Sequence, residues 1–210
     1  LERLAEIAVE KNIVVISDEI HCDMALYGNK HLPFASVSEK AAKCSITFGA
    51  PSKTFNIAGI VSSYAIVPDP ELRERFFSWL EAGEMDMATI FAMTATEAAF
   101  TKGNEWREQM LSYVERNIDF VDQFLKENIP AVRAIKPEAS FLVWLDLSGL
   151  GLEHHEVIDL ITNGAKLAVN DGAMFGEEGS GYMRMNLGCP RSVLEKALNQ
   201  IKAAYDKISC

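Results

Sequence analysis

A chain of 210 residues, 49% hydrophobic and 24% charged, has room for one large domain or two small ones and enough apolar side chains to bury a core. That balance excludes disorder, and the formal net charge of −10 argues against nucleic acid or an anionic membrane surface as the main partner. No run approaches the roughly 18 apolar residues of a membrane span. There is no signal-peptide pattern at the start, and Cys22, Cys44, Cys189 and Cys210 lack the spacing of a zinc site or a disulfide framework, so a reduced cytoplasmic setting is expected.

The first residues, LERLAEIAVEKN, open on Leu1 and read as the tail of an amphipathic helix feeding a strand, with Leu1, Leu4, Ala5, Ala8 and Val9 at helical spacing. The chain is expected to be the later part of a longer polypeptide. The continuous run Ile13-Val14-Val15-Ile16 suits a strand buried on both faces of a parallel sheet. Further strands are predicted at 45–48 and 61–67, the latter closed by Pro68. Residues 71–81 predict a helix, and 88–127 a longer helical region broken near Lys102-Gly103-Asn104. Within it Met110, Leu111, Val114, Ile118, Val121 and Leu125 mark one apolar face, and Pro130 ends it. Strands follow at 131–135 and 141–145, then a helix at 154–166, a Gly-rich loop and a strand at Tyr182–Leu187. The last helix opens at Ser192-Val193-Leu194-Glu195, which fits a capping box, and presents Val193, Leu194, Ala197, Leu198, Ile201, Ala204, Tyr205 and Ile208 as its core face. The fold class is α/β: part of a large sheet domain, followed by a small α+β domain.

Lys53 stands in GAPSKTFNIAG, straight after a strand end. A phosphate-binding loop would need glycine at 52 and 47, where the chain has Ser52 and Thr47. A solvated surface lysine is the commonest fate of the residue. Its small and apolar neighbours instead suggest partial desolvation, a lowered pKa and a role as nucleophile or base. Asp18 closes the strand at 13–16, and ligands of open α/β sheets bind beyond such strand ends; alone, it reads more readily as a turn aspartate. Asp18, His21 and Asp23 match no strong metal motif. His154 and His155 point in different directions on a helix and read as surface residues, and His31 as a loop residue. Arg184 interrupts the strand YMRMNL; its planar fork suits a carboxylate, most commonly one from an internal ion pair.

Jointly, SDEIHCDMALYGNKHLPFAS, APSKTFNIAG, FLVWLDLSGLG and NDGAMFGEEGSGYMRMNLGCPR, in this order, resemble fold type I pyridoxal-phosphate (PLP) enzymes of the class I/II aminotransferase superfamily. The branch they resemble is the MalY/PatB-type cystathionine β-lyases (C–S lyases). The resemblance covers the whole chain and about the second half of a family member. It implies that 1–104 is the C-terminal part of the PLP-binding large domain and 105–210 the small C-terminal domain.

Carried over residue by residue, the resemblance implies that Lys53 carries PLP covalently, Asp18 pairs with the pyridine nitrogen and Arg184 binds the substrate α-carboxylate, with Ser52 near the cofactor phosphate. Three positions depart from the aminotransferase pattern. His21 replaces a tyrosine, as in the lyase branch, while Ala50 and Val61 replace a serine and an arginine on the phosphate. The implied activity is β-elimination on cystathionine or cysteine-type S-conjugates by a homodimer when full length. Alternatives are an aminotransferase or a truncated non-catalytic fragment or interaction module.

Overall fold

The structure is a computed structural model that describes residues 1–208; Cys210 lies outside the described residues. The chain divides into two compact units, Leu1–Gln109 and Met110–Cys210. Together they form a mixed α/β protein with two small sheets.

In the first unit, α1 (Glu2–Glu10) packs against α2 (Glu39–Cys44) through Ala5, Ala8 and Ala41, with Phe34 beside them. Alanine lets two helices approach closely. The larger Leu1, Leu4 and Val9, expected on the same face, stay exposed. Lys11 and Asn12 turn the chain, with Asn12 in the left-handed region at φ 54. The strand then runs as β1 (Val15–Asp18), two residues later than the apolar run suggested. Ile13 and Val14 precede the strand and Ile16 stands within it; all three are exposed, so the run is not buried on both faces.

Strand β1 pairs in parallel with β2 (Ser45–Gly49), from Val15 opposite Ser45 to Asp18 opposite Phe48. Strand β3 (Tyr64–Ile66) joins β2 antiparallel, so the sheet is mixed. The strand expected at 61–67 is shorter because Val61 has φ 53, a left-handed conformation in which a β-branched residue is strained and a strand cannot continue.

Helix α3 (Pro70–Ala82) starts where local chemistry dictates: the Asp69 carboxylate accepts from the Leu72 amide at 2.9 Å, and Pro70 takes the first turn. Thr89 caps α4 (Ile90–Lys102) in the same way, through the Ala92 amide at 3.1 Å. The predicted break before α5 (Asn104–Asn128) is at Gly103, where a Cβ would run into the Phe55 ring and the Ala99 carbonyl.

The second unit sets β4 (Arg133–Ile135), β5 (Leu142–Asp146), β6 (Asn170–Asp171) and β7 (Tyr182–Asn186) in the antiparallel order β4-β5-β7-β6. Helix α6 (His154–Asp159) runs on into a wider turn at Leu160–Gly164, and α7 (Arg191–Ile208) closes the unit. Val114, Ile118, Val121 and Leu125 of α5 are buried, as their spacing predicts. Helix α7 buries Leu194, Ala197, Leu198, Ile201 and Ala204, whereas Val193 and Ile208 are exposed.

The capping box expected at Ser192 and Glu195 does not form. Helix α7 already begins at Arg191, whose amide donates to the Tyr113 hydroxyl at 2.7 Å, and Ser192 lies exposed inside the first turn. The reciprocal arrangement occurs on α6 instead, where the Glu153 amide donates to the Glu156 carboxylate at 2.8 Å.

One buried polar residue ties the strand-to-helix connection down. Asn117 Nδ2 donates to the Leu187 and Cys189 carbonyls, each at 3.0 Å, and Oδ1 accepts from Arg191 Nε at 3.0 Å. Asn117→Ala leaves these groups without partners, so urea unfolding is expected to show a loss of about 2–3 kcal/mol.

Asp146 is a second such point. It is buried on β5, paired with Arg133 across the ladder, and accepts from the Ser148 hydroxyl at 2.6 Å and amide at 3.0 Å. Burial works against its charge, but the bonds from Ser148 and Arg133 outweigh it and hold the carboxyl below its usual range. The folded carboxyl therefore binds its proton less well than the unfolded one, whose ordinary value is about 4. Its stabilisation is complete above that pH and is lost as pH falls through the folded value. Asp146→Asn is expected to flatten the fall in urea midpoint between about pH 5 and pH 3 relative to the parent chain.

Candidate functional site

Two chemistry-bearing residues share one edge of the first sheet. Asp18 is the last residue of β1, and Lys53 lies in the turn 51–56 that leaves β2 after Gly49. Because β1 and β2 run parallel, both residues follow the carboxyl ends of adjacent strands. Asp18 is exposed; its Oδ1 accepts from the Ile20 amide at 3.2 Å, and no basic side chain pairs with it among the described residues. It borders a cavity of about 240 Å³ shared with Phe48, Gly49, Ala50 and Ser63.

Lys53 is also exposed and has no carboxylate partner among the described residues. This corrects the expectation of partial desolvation: the turn buries Pro51 and Thr54 and directs the lysine outward. Ser52 is half-buried in the same turn, and its carbonyl accepts from the Ile57 amide at 3.0 Å. Ala50 is buried and Val61 is 83% exposed, so neither offers a polar side chain to a ligand.

His21 is half-buried just before the short turn of helix Cys22–Met24. Asp23, weighed above as a metal ligand, lies 3.6 Å from Arg107 in an ion pair. Among the described residues no group of three or more His, Cys, Asp or Glu side chains could hold a metal. The Cys22 thiol is pushed up to about 11, first by burial and then by the charges of Asp23 and Glu19, and stays protonated at neutral pH.

Glu19 was not singled out by sequence reasoning. It is buried beside Asp18 and accepts from Phe34 N at 2.9 Å and Ser17 Oγ at 3.0 Å, with His31 Nε2 at 2.7 Å. Burial opposes its charge, and these bonds, that of His31 first, hold its carboxyl low. His31 is thus a partner in a clamp that fixes the loop leaving β1. The place of Glu19 directly after an apolar strand is the sequence signal that could have found it.

In the second unit, Arg184 lies mid-strand on β7 opposite Trp144, half-buried. It forms no ion pair among the described residues, contrary to the internal pairing that its position suggests. Its Nη2 donates to Asn170 Oδ1 at 3.1 Å, and its guanidinium lies 4.3 Å from the centre of the Phe175 ring. Its Nε is buried with no partner. A guanidinium held on one side by an amide oxygen and an aromatic ring keeps its charge available for an anion.

His154 also differs from expectation. It is half-buried: Nδ1 accepts from the Gly181 amide at 3.2 Å, and Nε2 lies 3.2 Å from Asp171 Oδ1. His155 is exposed, as read from the sequence.

Residues 1–201 match the family described as Aminotransferase class I and II. The chain is 42% identical over 204 residues to cystathionine beta-lyase PatB of Bacillus subtilis (strain 168), covering 97% of this chain and 53% of that protein. It is 31% identical over 208 residues to protein MalY of Escherichia coli (strain K12), with the same shares of 97% and 53%. Among solved structures it superposes on cystalysin from Treponema denticola, which contains a pyridoxal 5'-phosphate cofactor, with a TM-score of 0.93 and 31% identity over 98% of this chain and 52% of that one. A PLP-bound protein from Clostridium difficile 630 matches with a TM-score of 0.92 and 43% identity over 97% and 52%. The chain spans about half the length of the curated relatives it matches. It belongs to the class I and II aminotransferase family of fold type I PLP enzymes, within which it is similar to cystathionine beta-lyase PatB and to protein MalY.

Proposed function

We propose that this chain is the later half of a PLP-dependent C–S β-lyase acting on cystathionine or cysteine-type S-conjugates. The substrate loses its β-thiolate; with water, the remaining carbon skeleton leaves as pyruvate and ammonia. The observation that carries this reading is the 42% identity to PatB along nearly the whole chain. It is supported by a lysine and an aspartate at the carboxyl ends of adjacent parallel strands, neither of which forms an ion pair among the described residues. In this reading the first sheet is part of the large PLP domain and residues 105–210 form the small domain.

The side chains present fit PLP at separate points. PLP, when bound, supplies the electron sink for the charge left at the substrate α-carbon. Asp18 offers a carboxylate with free acceptor capacity to a protonated ring nitrogen, and the opposite charge favours the protonated form. Lys53 Nζ, exposed and unpaired, is the group to hold the cofactor covalently; its free amine is the base for the α-proton. His21 replaces the family's phenolic-oxygen partner, and Ser52 offers a half-buried hydroxyl in the lysine's own turn. Arg184 binds and orients the α-carboxylate, using the guanidinium face that Asn170 and Phe175 leave open. With Ala50 and Val61 apolar, the phosphate grip comes from chain outside these residues.

We also propose a homodimer for the full-length protein, a cytoplasmic setting, and no nucleic-acid, membrane or metal partner. The second reading is an aminotransferase, favoured by the family's breadth. In the fragment reading the purified chain is colourless and binds no cofactor.

In full-length protein, borohydride reduction followed by peptide mass spectrometry is expected to find PLP on Lys53, and Lys53→Ala to abolish the adduct. An adduct still found on this peptide in Lys53→Ala would overturn the assignment. With cystathionine, free thiol and pyruvate are expected in equal amounts. Amino transfer that depends on an added keto acid and releases no thiol would establish the aminotransferase instead.

A further inference from the structure

The loop between β6 and β7 carries half of the Arg184 surroundings. Asn170, whose Oδ1 accepts from Arg184, sits on a two-residue strand paired only with β7. Phe175, under the guanidinium, is braced edge-on by Trp144 at 5.5 Å between ring centres. A strand of two residues cannot hold Asn170 in register by ladder bonds alone.

His154 supplies the missing restraint. Its ring touches both ends of this loop: Nε2 meets Asp171 at the start, and Nδ1 takes the Gly181 amide at the end. An Nδ1 that accepts an amide proton has its lone pair there, so in the neutral ring the proton sits on Nε2, facing the Asp171 carboxylate. Asp171 Oδ1 also accepts from the Ala173 amide at 2.9 Å, which fixes the turn leading to Phe175. Inside the loop, Gly172 packs so tightly on the Gly179 and Tyr182 carbonyls that a Cβ there would collide with both.

We propose that His154 is a positioning residue for Arg184. By joining the two ends of the 171–181 loop, it keeps Asn170 and Phe175 against the guanidinium and so presets the orientation in which Arg184 receives a carboxylate. This rests on the carboxylate-binding reading of Arg184. His154 touches neither the substrate nor the cofactor; it acts through the loop.

The test uses full-length holoenzyme with His154→Phe, which keeps a ring and removes both hydrogen bonds. His154→Leu serves as a second variant that also removes both hydrogen bonds and leaves the bond from Ala173 to Asp171 in place. Cystathionine is compared with its analogue lacking the α-carboxylate. For cystathionine, KM is expected to rise about tenfold in both variants with kcat within about twofold, because carboxylate binding is weakened equally in the ground and transition states while the reacting groups are untouched. For the decarboxylated analogue, KM is expected to stay unchanged. The Arg184 Nε–H resonance should shift in both variants, and the Glu177-Glu178 bond should become sensitive to a glutamate-specific protease. Arg184→Ala is run alongside. If it fails to separate the two substrates, the carboxylate reading itself falls. If it does separate them while His154→Phe and His154→Leu leave KM and the Arg184 resonance unchanged, only the positioning proposal is overturned.

Discussion

The parallel pairing of β1 with β2 is the constraint on which the first half of the site depends. Parallel strands need a crossover, and the chain from Glu19 to Cys44 provides it before returning alongside β1. Both strands then end at the same edge, with Asp18 opposite Phe48, so the turn that bears Lys53 begins beside the aspartate. An antiparallel pairing would have sent the two residues to opposite edges. The Glu19 clamp holds the crossover at its start: a buried carboxylate that meets an amide, a hydroxyl and an imidazole is costly to displace. The residue that faces away from the candidate site thus holds in place the one that faces it.

The second unit solves a different problem. A charged arginine in mid-strand has to be accommodated without being neutralised. Asn170 takes one of its protons and Phe175 its face, which satisfies the side chain in part and leaves Nε with no partner. A buried donor left unmade costs about 1–3 kcal/mol. Such a departure from full hydrogen bonding is typical of positions kept for a ligand rather than for stability.

The first unit exposes large apolar side chains on Met87, Ile90 and Phe91, each more than 70% accessible, and on Ile16 of the edge strand. Large apolar side chains left this exposed are suited to packing against further chain or another molecule. The relatives carry nearly as much chain again as is present here. In the proposed function, Asp18 and Lys53 are the residues for the ring nitrogen and the covalent link, whereas Ala50 and Val61 offer no polar side chain to a phosphate.

Local chemistry made much of this legible from the sequence. The Asp69-Pro70 helix start, the Gly103 break and the buried stripe of α5 each depend on residues within a turn or two of one another. The motif strings around Asp18, Lys53 and Arg184 carried the family by themselves. What the sequence could not reveal depends on partners far along the chain. Ser192 looks like a cap only until the Arg191 amide meets Tyr113, 78 residues earlier. His154 reads as a surface residue until Asp171 and Gly181 close around it, 17 and 27 residues later. The apolar run at 13–16 promised burial on both faces, yet Ile13, Val14 and Ile16 are exposed, because burial depends on which distant segments cover the sheet. The sequence by itself determined the family and which residues are candidates for its chemistry, because side-chain type and short-range spacing are written locally. Only the tertiary structure decided which of them keep a free charge, because that depends on strand register and on contacts between distant segments.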